Sequence, residues 1–270
     1  MMSTIAELHI PAPFGWPGGK RLLSKRIISL IPPHRVYCEP FAGAASVFWA
    51  KEPSEVEVLN DLDPDLMRFY RNIGSIDHCN IDQIGKDWNR LKAGRGKLEV
   101  CDFLTEVMCS FGSKRAGANQ SLLLGRCAKN APNFHHYLPQ YQERLAKTKL
   151  HNEDWEKVVK QYDTPDTFFY FDPPYHNVSK NIYFYGDDQL ARLAETLPEL
   201  KGKWILSYDD DPEVKKAFSK YHILPVESRY TLEKDNKMIG KQLLIANYPI
   251  EAKFAGVYPL LFTRTYKKEG

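Results

Sequence analysis

Cysteine is scarce in this chain. The five present (Cys38, Cys79, Cys101, Cys109 and Cys127) are odd in number and include no Cys-x-x-Cys pair. They argue against a disulfide framework and against a zinc site, and no metal is expected. Long apolar runs are missing too, since no stretch approaches the ~20 apolar residues of a membrane span. The opening MMSTIAELHIPAPFGWPGGK lacks the charged start and apolar run of a secretory signal. No internal repeat or low-complexity tract interrupts the chain. These absences point to a soluble intracellular protein without a membrane partner. What is present is 43% hydrophobic and 13% aromatic residues in a length of 270. That is enough to bury a proper core, as one large α/β domain with an inserted subdomain or as two small domains.

The net charge of +3 is unevenly spread. Residues 81–150 hold 12 Lys/Arg against 6 Asp/Glu, whereas the remaining 200 hold 25 against 28. A basic segment in a slightly acidic body suits the docking of a polyanion, although a solvated surface would read the same way.

Apolar spacing in 21–31 predicts a helix that ends at Pro32-Pro33. A short strand at 35–38 leads into the small-residue turn Glu39-Pro40-Phe41-Ala42-Gly43-Ala44-Ala45-Ser46 and a helix from Val47. Residues 55–59 alternate as a strand, and Asp63-Pro64-Asp65 starts a helix with acids where the helix dipole favours them. This strand–turn–helix–strand–helix order opens a parallel doubly wound sheet. Residues 75–150 lack that rhythm, with helices predicted only near 99–109 and 136–147. The rhythm returns with strands at 167–171, 204–208, 221–227 and 242–248, and with helices at 187–197 and 212–218. The charged stretch 229–241 reads as a long loop.

The sharpest chemical signal is Asp172-Pro173-Pro174-Tyr175, directly after the strand Phe168-Phe169-Tyr170-Phe171. Ligands of open α/β sheets bind beyond such strand ends. Two prolines stiffen the turn and give up their N–H groups, so carbonyls can point outward. The exocyclic amine of adenine needs such a site, because its lone pair is delocalised into the ring. Two acceptors holding its two N–H bonds, a carboxylate and a main-chain carbonyl, make the nitrogen electron-rich enough to attack a methyl sulfonium in line. The ring of Tyr175 offers a face for an extruded base. A merely stiff loop is the plainer reading. The turn around Gly43 allows close approach of a cofactor, and an acid beyond the next strand, at Asn60-Asp61, suits ribose hydroxyls. Alone, this second motif is weak.

Together these motifs resemble the class D12, Dam-type DNA adenine-N6 methyltransferases, in the motif order of the α group. Trp16-Pro17-Gly18-Gly19-Lys20 is similar to the N-terminal cofactor motif, Glu39-Pro40-Phe41-Ala42-Gly43 to the methionine-binding turn, and Leu59-Asn60-Asp61 to the ribose motif. Asn152-Glu153-Asp154-Trp155 resembles the segment whose acid reads the cofactor adenine, and residues 164–175 resemble the catalytic strand and loop. Leu206-Ser207-Tyr208 and Leu243-Leu244-Ile245-Ala246-Asn247-Tyr248 also fit the family. The resemblance implies a Rossmann-like, mostly parallel sheet with a mostly helical inserted target-recognition domain. Residues 1–74 and 150–270 would form the catalytic domain and 75–149 the insert.

It further implies catalysis by Asp172, Pro173, Pro174 and Tyr175. S-adenosyl-L-methionine would be held by Trp16, Lys20, Glu39, Phe41, Gly43, Asp61, Asp154, Trp155 and Asp172, leaving S-adenosyl-L-homocysteine as product. Lys20 would serve the cofactor carboxylate or a phosphate. Double-stranded DNA would be the substrate, in the cytoplasm of a bacterial or phage-infected cell, with a cognate restriction endonuclease as an allowed partner. Lys114, Arg115, Asn119, Gln120 and Arg126 are candidates for reading bases, since arginine suits guanine and Asn or Gln suits adenine in the major groove. A basic loop touching only phosphates is the alternative. One departure stands out: the family turn often has a second glycine where Ala45 lies, and its methyl would crowd the cofactor if that position requires a positive φ. The competing functions are an RNA adenine-N6 methyltransferase and a catalytically silent DNA-binding subunit.

Overall fold

In a computed structural model of the protein, residues 10–78, 100–109, 124–175, 188–230 and 238–250 are described. The apolar runs become strands of one sheet: β1 (Val36–Glu39), β2 (Val56–Asn60), β3 (Lys149–His151), β4 (Thr167–Phe171), β5 (Lys203–Asp209), β6 (His222–Tyr230) and β7 (Met238–Ala246). Their order is β3-β2-β1-β4-β5-β7-β6. The pairs from β3 to β5 are parallel, and β7 runs antiparallel between β5 and β6. This is a Rossmann-like, mostly parallel sheet.

Strand side chains alternate between two buried layers, as the two-residue period requires. Tyr37, Phe168, Tyr170 and Ile205 face one core, and Cys38, Phe169, Phe171 and Leu206 face the other. The strands are covered on both faces, which is why β4 is apolar throughout rather than alternating. The first core packs under α1 (Ser24–Ile28), α2 (Ser46–Ala50), α3 (Pro64–Arg71), α4 (Val100–Cys109) and α5 (Leu124–Lys147). The second packs under α6 (Trp155–Tyr162), α7 (Gln189–Thr196) and α8 (Pro212–Ala217). Three helices begin on an aspartate whose side chain accepts amide hydrogens of the first turn: Asp63 for α3, Asp154 for α6 and Asp211 for α8.

Several elements depart from the sequence expectation. Helix α5 begins at Leu124 rather than near residue 136 and carries Pro132 and Pro139 within it. Phe134, Leu138, Tyr141 and Leu145 form a buried stripe at helical spacing along it, so tertiary packing offsets what the prolines cost. Strand β3 and helix α6 were not expected, because three residues and two turns carry little periodic signal. The stretch expected as a loop at 229–241 is partly strand: β6 runs to Tyr230 and β7 starts at Met238, paired with each other. Cys101 is disulfide-bonded, where the sequence argued against a disulfide framework, whereas Cys38 is a free buried thiol.

The described helices of the 75–149 segment are braced against the sheet. Arg144 of α5 donates to both carboxylate oxygens of Glu57 on β2, at 3.0 and 2.8 Å, and lies 4.1 Å over the Phe48 ring. Lys51 completes the buried cluster, 2.7 Å from Glu57 and 4.2 Å over the Tyr37 ring. Breaking such a group by removing one partner leaves an uncompensated charge, so the cluster pins α5 in one orientation.

Candidate active site

The chain leaves β1 for β2 on one side, while β4, its other neighbour, continues to β5 on the opposite side. Beyond the C-terminal ends of β1 and β4 the sheet therefore opens into the crevice where ligands of doubly wound sheets bind. Glu39 ends β1 and Asp172 follows β4, so the two motifs singled out by the sequence meet here.

The turn after β1 is held by groups reaching in from three elements. Ala42 donates its amide to Asn60 O at 2.8 Å, Tyr70 of α3 donates to Gly43 O at 2.7 Å, and Gly43 N donates to Asp61 Oδ2 at 2.9 Å. Gly43 has φ +47, and a Cβ there would lie 2.8 Å from Cδ1 of Trp16, so the indole rests directly on the glycine. Trp16 is placed by its own turn: Gly19 donates to Trp16 O at 2.9 Å, Pro17 holds the second position, and Gly18 takes φ 72 at the third. That is the type II turn which Pro-Gly favours.

Ala45 adopts φ 51 and ψ 42, the left-handed conformation that the departure from the family pattern put in question. It is 1% exposed and packs in the first core, so its methyl is turned into the protein and not toward the crevice. The strain of a left-handed alanine, about 1–2 kcal/mol, is offset in part by burial of that methyl, about 0.8 kcal/mol. An Ala45→Gly protein is accordingly expected to differ in stability by less than ~1 kcal/mol and to bind the cofactor that the resemblance implies equally well. Denaturant titration and calorimetry would check both; a large gain in cofactor affinity would show that the methyl intrudes after all.

Two carboxylates face this turn. Glu39 is buried, and its Oε1 accepts from the Tyr37 hydroxyl at 2.5 Å and the Phe48 amide at 2.8 Å. Oε2 takes no hydrogen bond among the described residues. Burial pushes the Glu39 carboxyl up to about 8, against the Tyr37 and Phe48 donors that favour its ionised form. Burial likewise raises Asp61 to about 6, opposed by the amides of Asp63 and Gly43. Asn60, fully buried, ties the site to the segment after β3: its Nδ2 donates to Pro40 O and Glu153 O, and its Oδ1 accepts from Glu153 N. Asn152 donates to Asp61 O at 2.8 Å.

Asp154 is more engaged than its expected role suggests. It caps α6, and both of its oxygens receive Arg192 Nη2 at 2.8 Å. Arg192 also donates to Glu156 and lies 5.4 Å from the Trp155 ring. Trp155 is fully buried and packs on Phe41 and Phe171, at 5.5 and 6.0 Å between ring centroids.

At the other wall stands Asp172. Lys20, 4% exposed, approaches Oδ1 to 2.6 Å and also donates to Gly18 O at 2.8 Å. Ser207 of β5 donates to the same Oδ1 at 2.8 Å, with the Tyr170 hydroxyl 3.1 Å from Ser207 Oγ. Oδ2 takes no hydrogen bond among the described residues. Tyr175 packs on Tyr208 at 4.9 Å, with the Lys20 ammonium 5.0 Å from its ring. Lys20 thus spans from the Trp16 turn to the Asp172 loop.

The sequence profile of D12 class N6 adenine-specific DNA methyltransferases matches residues 16–97 and 87–232. The chain belongs to this family. Curated relatives agree across nearly their whole length. A type II methyltransferase, M.CviBI, from Paramecium bursaria Chlorella virus NC1A is 22% identical over 257 residues, which cover 86% of this chain and 98% of that protein. A second, M1.LlaDCHI from Lactococcus lactis subsp. cremoris, is 24% identical over 268 residues, covering 86% and 94%. Among solved structures, a conserved hypothetical protein of Streptococcus pyogenes superposes with a TM-score of 0.38 at 11% identity, over 83% of this chain and 95% of that one.

The protein is thus a site-specific DNA adenine methyltransferase, and a methyl donor and DNA are its substrates. In this D12 enzyme contacts link Trp16 to Gly43, Gly43 to Asp61 and Lys20 to Asp172 beyond the ends of β1 and β4, while Phe41 packs on Trp155 and Asn60 bonds Glu153, next to Asp154. Lys114, Arg115, Asn119 and Gln120 lie outside the described residues, and of Arg126 only the backbone, in α5, is described. Sequence reading missed Tyr70, Arg192 and the role of Ser207. Tyr70 and Arg192 sit in helices that were expected without any signal for these two residues, whereas Ser207 was at least named within Leu206-Ser207-Tyr208, which fits the family.

Proposed function

We propose that the enzyme transfers a methyl group from S-adenosyl-L-methionine to N6 of an adenine turned out of double-stranded DNA, with Asp172 accepting a hydrogen bond from the target amine. The observation that carries this reading is the Asp172 carboxylate. One of its oxygens is tied down by Lys20 and Ser207, and the other takes no hydrogen bond among the described residues, at the mouth of the crevice beside Tyr175.

The donor set fits this cofactor. Glu39 Oε2 suits an ammonium, Asp61 suits vicinal ribose hydroxyls, and the close contact of Trp16 with Gly43 forms a floor of backbone and indole. Asp154, with Trp155 beneath it, suits the amine of the cofactor adenine. S-adenosyl-L-methionine supplies an electrophilic methyl group when bound. The chain's own residues have the task of orienting the amine. Asp172 takes one N–H, a carbonyl of the Pro173-Pro174 turn takes the other, and Tyr175 stacks on the base. The nitrogen then forms its bond to the methyl carbon as the carbon–sulfur bond breaks, and loses its proton to solvent afterwards. No covalent intermediate with the protein is needed.

Residues 1–74 and 150–270 are assigned to catalysis and the basic 75–149 segment to target recognition. There Lys114, Arg115, Asn119, Gln120 and Arg126 would meet phosphates and base edges. The setting is cytoplasmic, with or without a cognate endonuclease. Labelled methyl transfer from S-adenosyl-L-methionine to unmethylated duplex DNA, beside matched RNA, tests the reading. N6-methyladenine in the duplex is the expected result, and label confined to RNA would overturn it.

A further inference from the structure

We infer that Ser207, acting with Lys20, is a positioning residue for methyl transfer: the two donors fix Oδ1 of Asp172 so that Oδ2 alone is presented to the target amine. The inference rests on the proposed role of Asp172 as acceptor. A carboxylate rotates freely about its last bond, and in water its two oxygens are interchangeable. Here they are not. Oδ1 receives Lys20 Nζ at 2.6 Å and Ser207 Oγ at 2.8 Å from opposite walls, one in the N-terminal turn and one on β5. Both donors are buried, Lys20 at 4% exposure and Ser207 at 0%.

Ser207 has a single hydroxyl proton. Asp172 Oδ1 at 2.8 Å is a shorter, charged acceptor for it than Phe171 O at 3.3 Å, and with the proton on Asp172 the 3.1 Å contact to Tyr170 is filled by the Tyr170 hydroxyl donating to Ser207 Oγ. The chain Tyr170–Ser207–Asp172 therefore has one direction and ends on the carboxylate. It runs through two strands, β4 and β5, paired in fixed register with Tyr170 opposite Ile205 and Phe171 opposite Leu206. Sites built on strands hold their geometry more closely than sites on loops, and Asp172 itself lies on a loop. Ser207 thus anchors the loop residue to the strand. Its hydrogen bond matters once the amine must be aligned with the methyl group, and not for binding either substrate.

The test is a comparison of Ser207→Ala and Tyr170→Phe in the full-length enzyme, with cofactor affinity by calorimetry, DNA affinity by gel shift, and single-turnover methylation. Loss of a hydrogen bond to a charged group predicts about a 10- to 100-fold drop in turnover for Ser207→Ala, and loss of a neutral one about 3-fold for Tyr170→Phe. Both affinities stay within about 2-fold of the parent in each case. Turnover unchanged in Ser207→Ala, or a loss carried entirely by weaker binding, would overturn the inference. If Ser207→Ala does not fold, Tyr170→Phe decides alone, since it keeps the volume of the side chain; a 3-fold fall at constant affinity supports the inference and parent turnover refutes it. Asp172→Ala run in parallel separates the two levels of the argument. Parent-like turnover there removes the acceptor role itself, whereas an inactive Asp172→Ala beside a fully active Ser207→Ala removes only the positioning role.

Discussion

An Asp172→Ala protein is expected to bind S-adenosyl-L-methionine within a few-fold of the parent and to transfer methyl groups at least about 1,000-fold more slowly. Preorganised hydrogen-bond partners aimed at developing charge are each worth about 100- to 1,000-fold, and in the proposed reading Asp172 supplies the side-chain acceptor for the amine. Without it the lone pair stays delocalised into the purine, and the remaining main-chain acceptor can orient only one of two N–H bonds. The substitution also strands Lys20, whose ammonium is 4% exposed and keeps only Gly18 O and the face of the Tyr175 ring among its present partners. A loss of about 1–3 kcal/mol of stability is therefore expected alongside. Single-turnover transfer and denaturant midpoints read the two effects separately, and turnover within 10-fold of the parent would sink the assignment.

Glu39→Gln should change both the stability of the cofactor-free enzyme and its dependence on pH. Burial holds the Glu39 carboxyl at about 8 against an ordinary value of 4.5. The folded chain thus keeps a proton that the unfolded chain releases near pH 4.5, and folding takes up a proton between those values. The protonated carboxyl's contribution is fully present below pH 4.5 and is lost as pH rises toward about 8, at about 1.4 kcal/mol per unit. Asp61 adds a smaller effect of the same sign between 3.8 and about 6. The isosteric amide removes the larger of the two, so Glu39→Gln should be more stable than the parent at pH 8 by a few kcal/mol and nearly equal to it at pH 5. It should also bind S-adenosyl-L-methionine about 10- to 100-fold more weakly, because the carboxyl can give up its proton to face an ammonium as an anion and the amide cannot. Equal pH slopes for the two proteins between 5 and 8 would contradict the buried, protonated state of Glu39.

These two expectations join a residue legible in the sequence to one whose setting was not. Asp172-Pro173-Pro174-Tyr175 announced itself, since a carboxylate, two prolines and an aromatic after an apolar strand have few other uses. Glu39 was visible only as part of a turn motif, and nothing in its neighbours foretold that Tyr37 and Phe48 would occupy one of its oxygens. Ala45 shows the limit most clearly. Its identity and the question it raised were readable, but whether its methyl meets the cofactor or the core depends on a backbone angle and on α2 packing behind it.

The sequence by itself determined the doubly wound order of the elements, the family and the class of reaction. These follow from local patterns: strand runs, aspartate-started helices and motif spacing within a few residues. Only the tertiary structure decided which carboxylate oxygen faces outward, that Lys20 binds Asp172, that Arg192 clamps Asp154, and that α5 runs on through two prolines to lock onto Glu57. Those are contacts between residues tens to more than a hundred positions apart. Their energies come from burial and from partners brought together by the folded sheet, and no window along the chain contains both ends of such a bond.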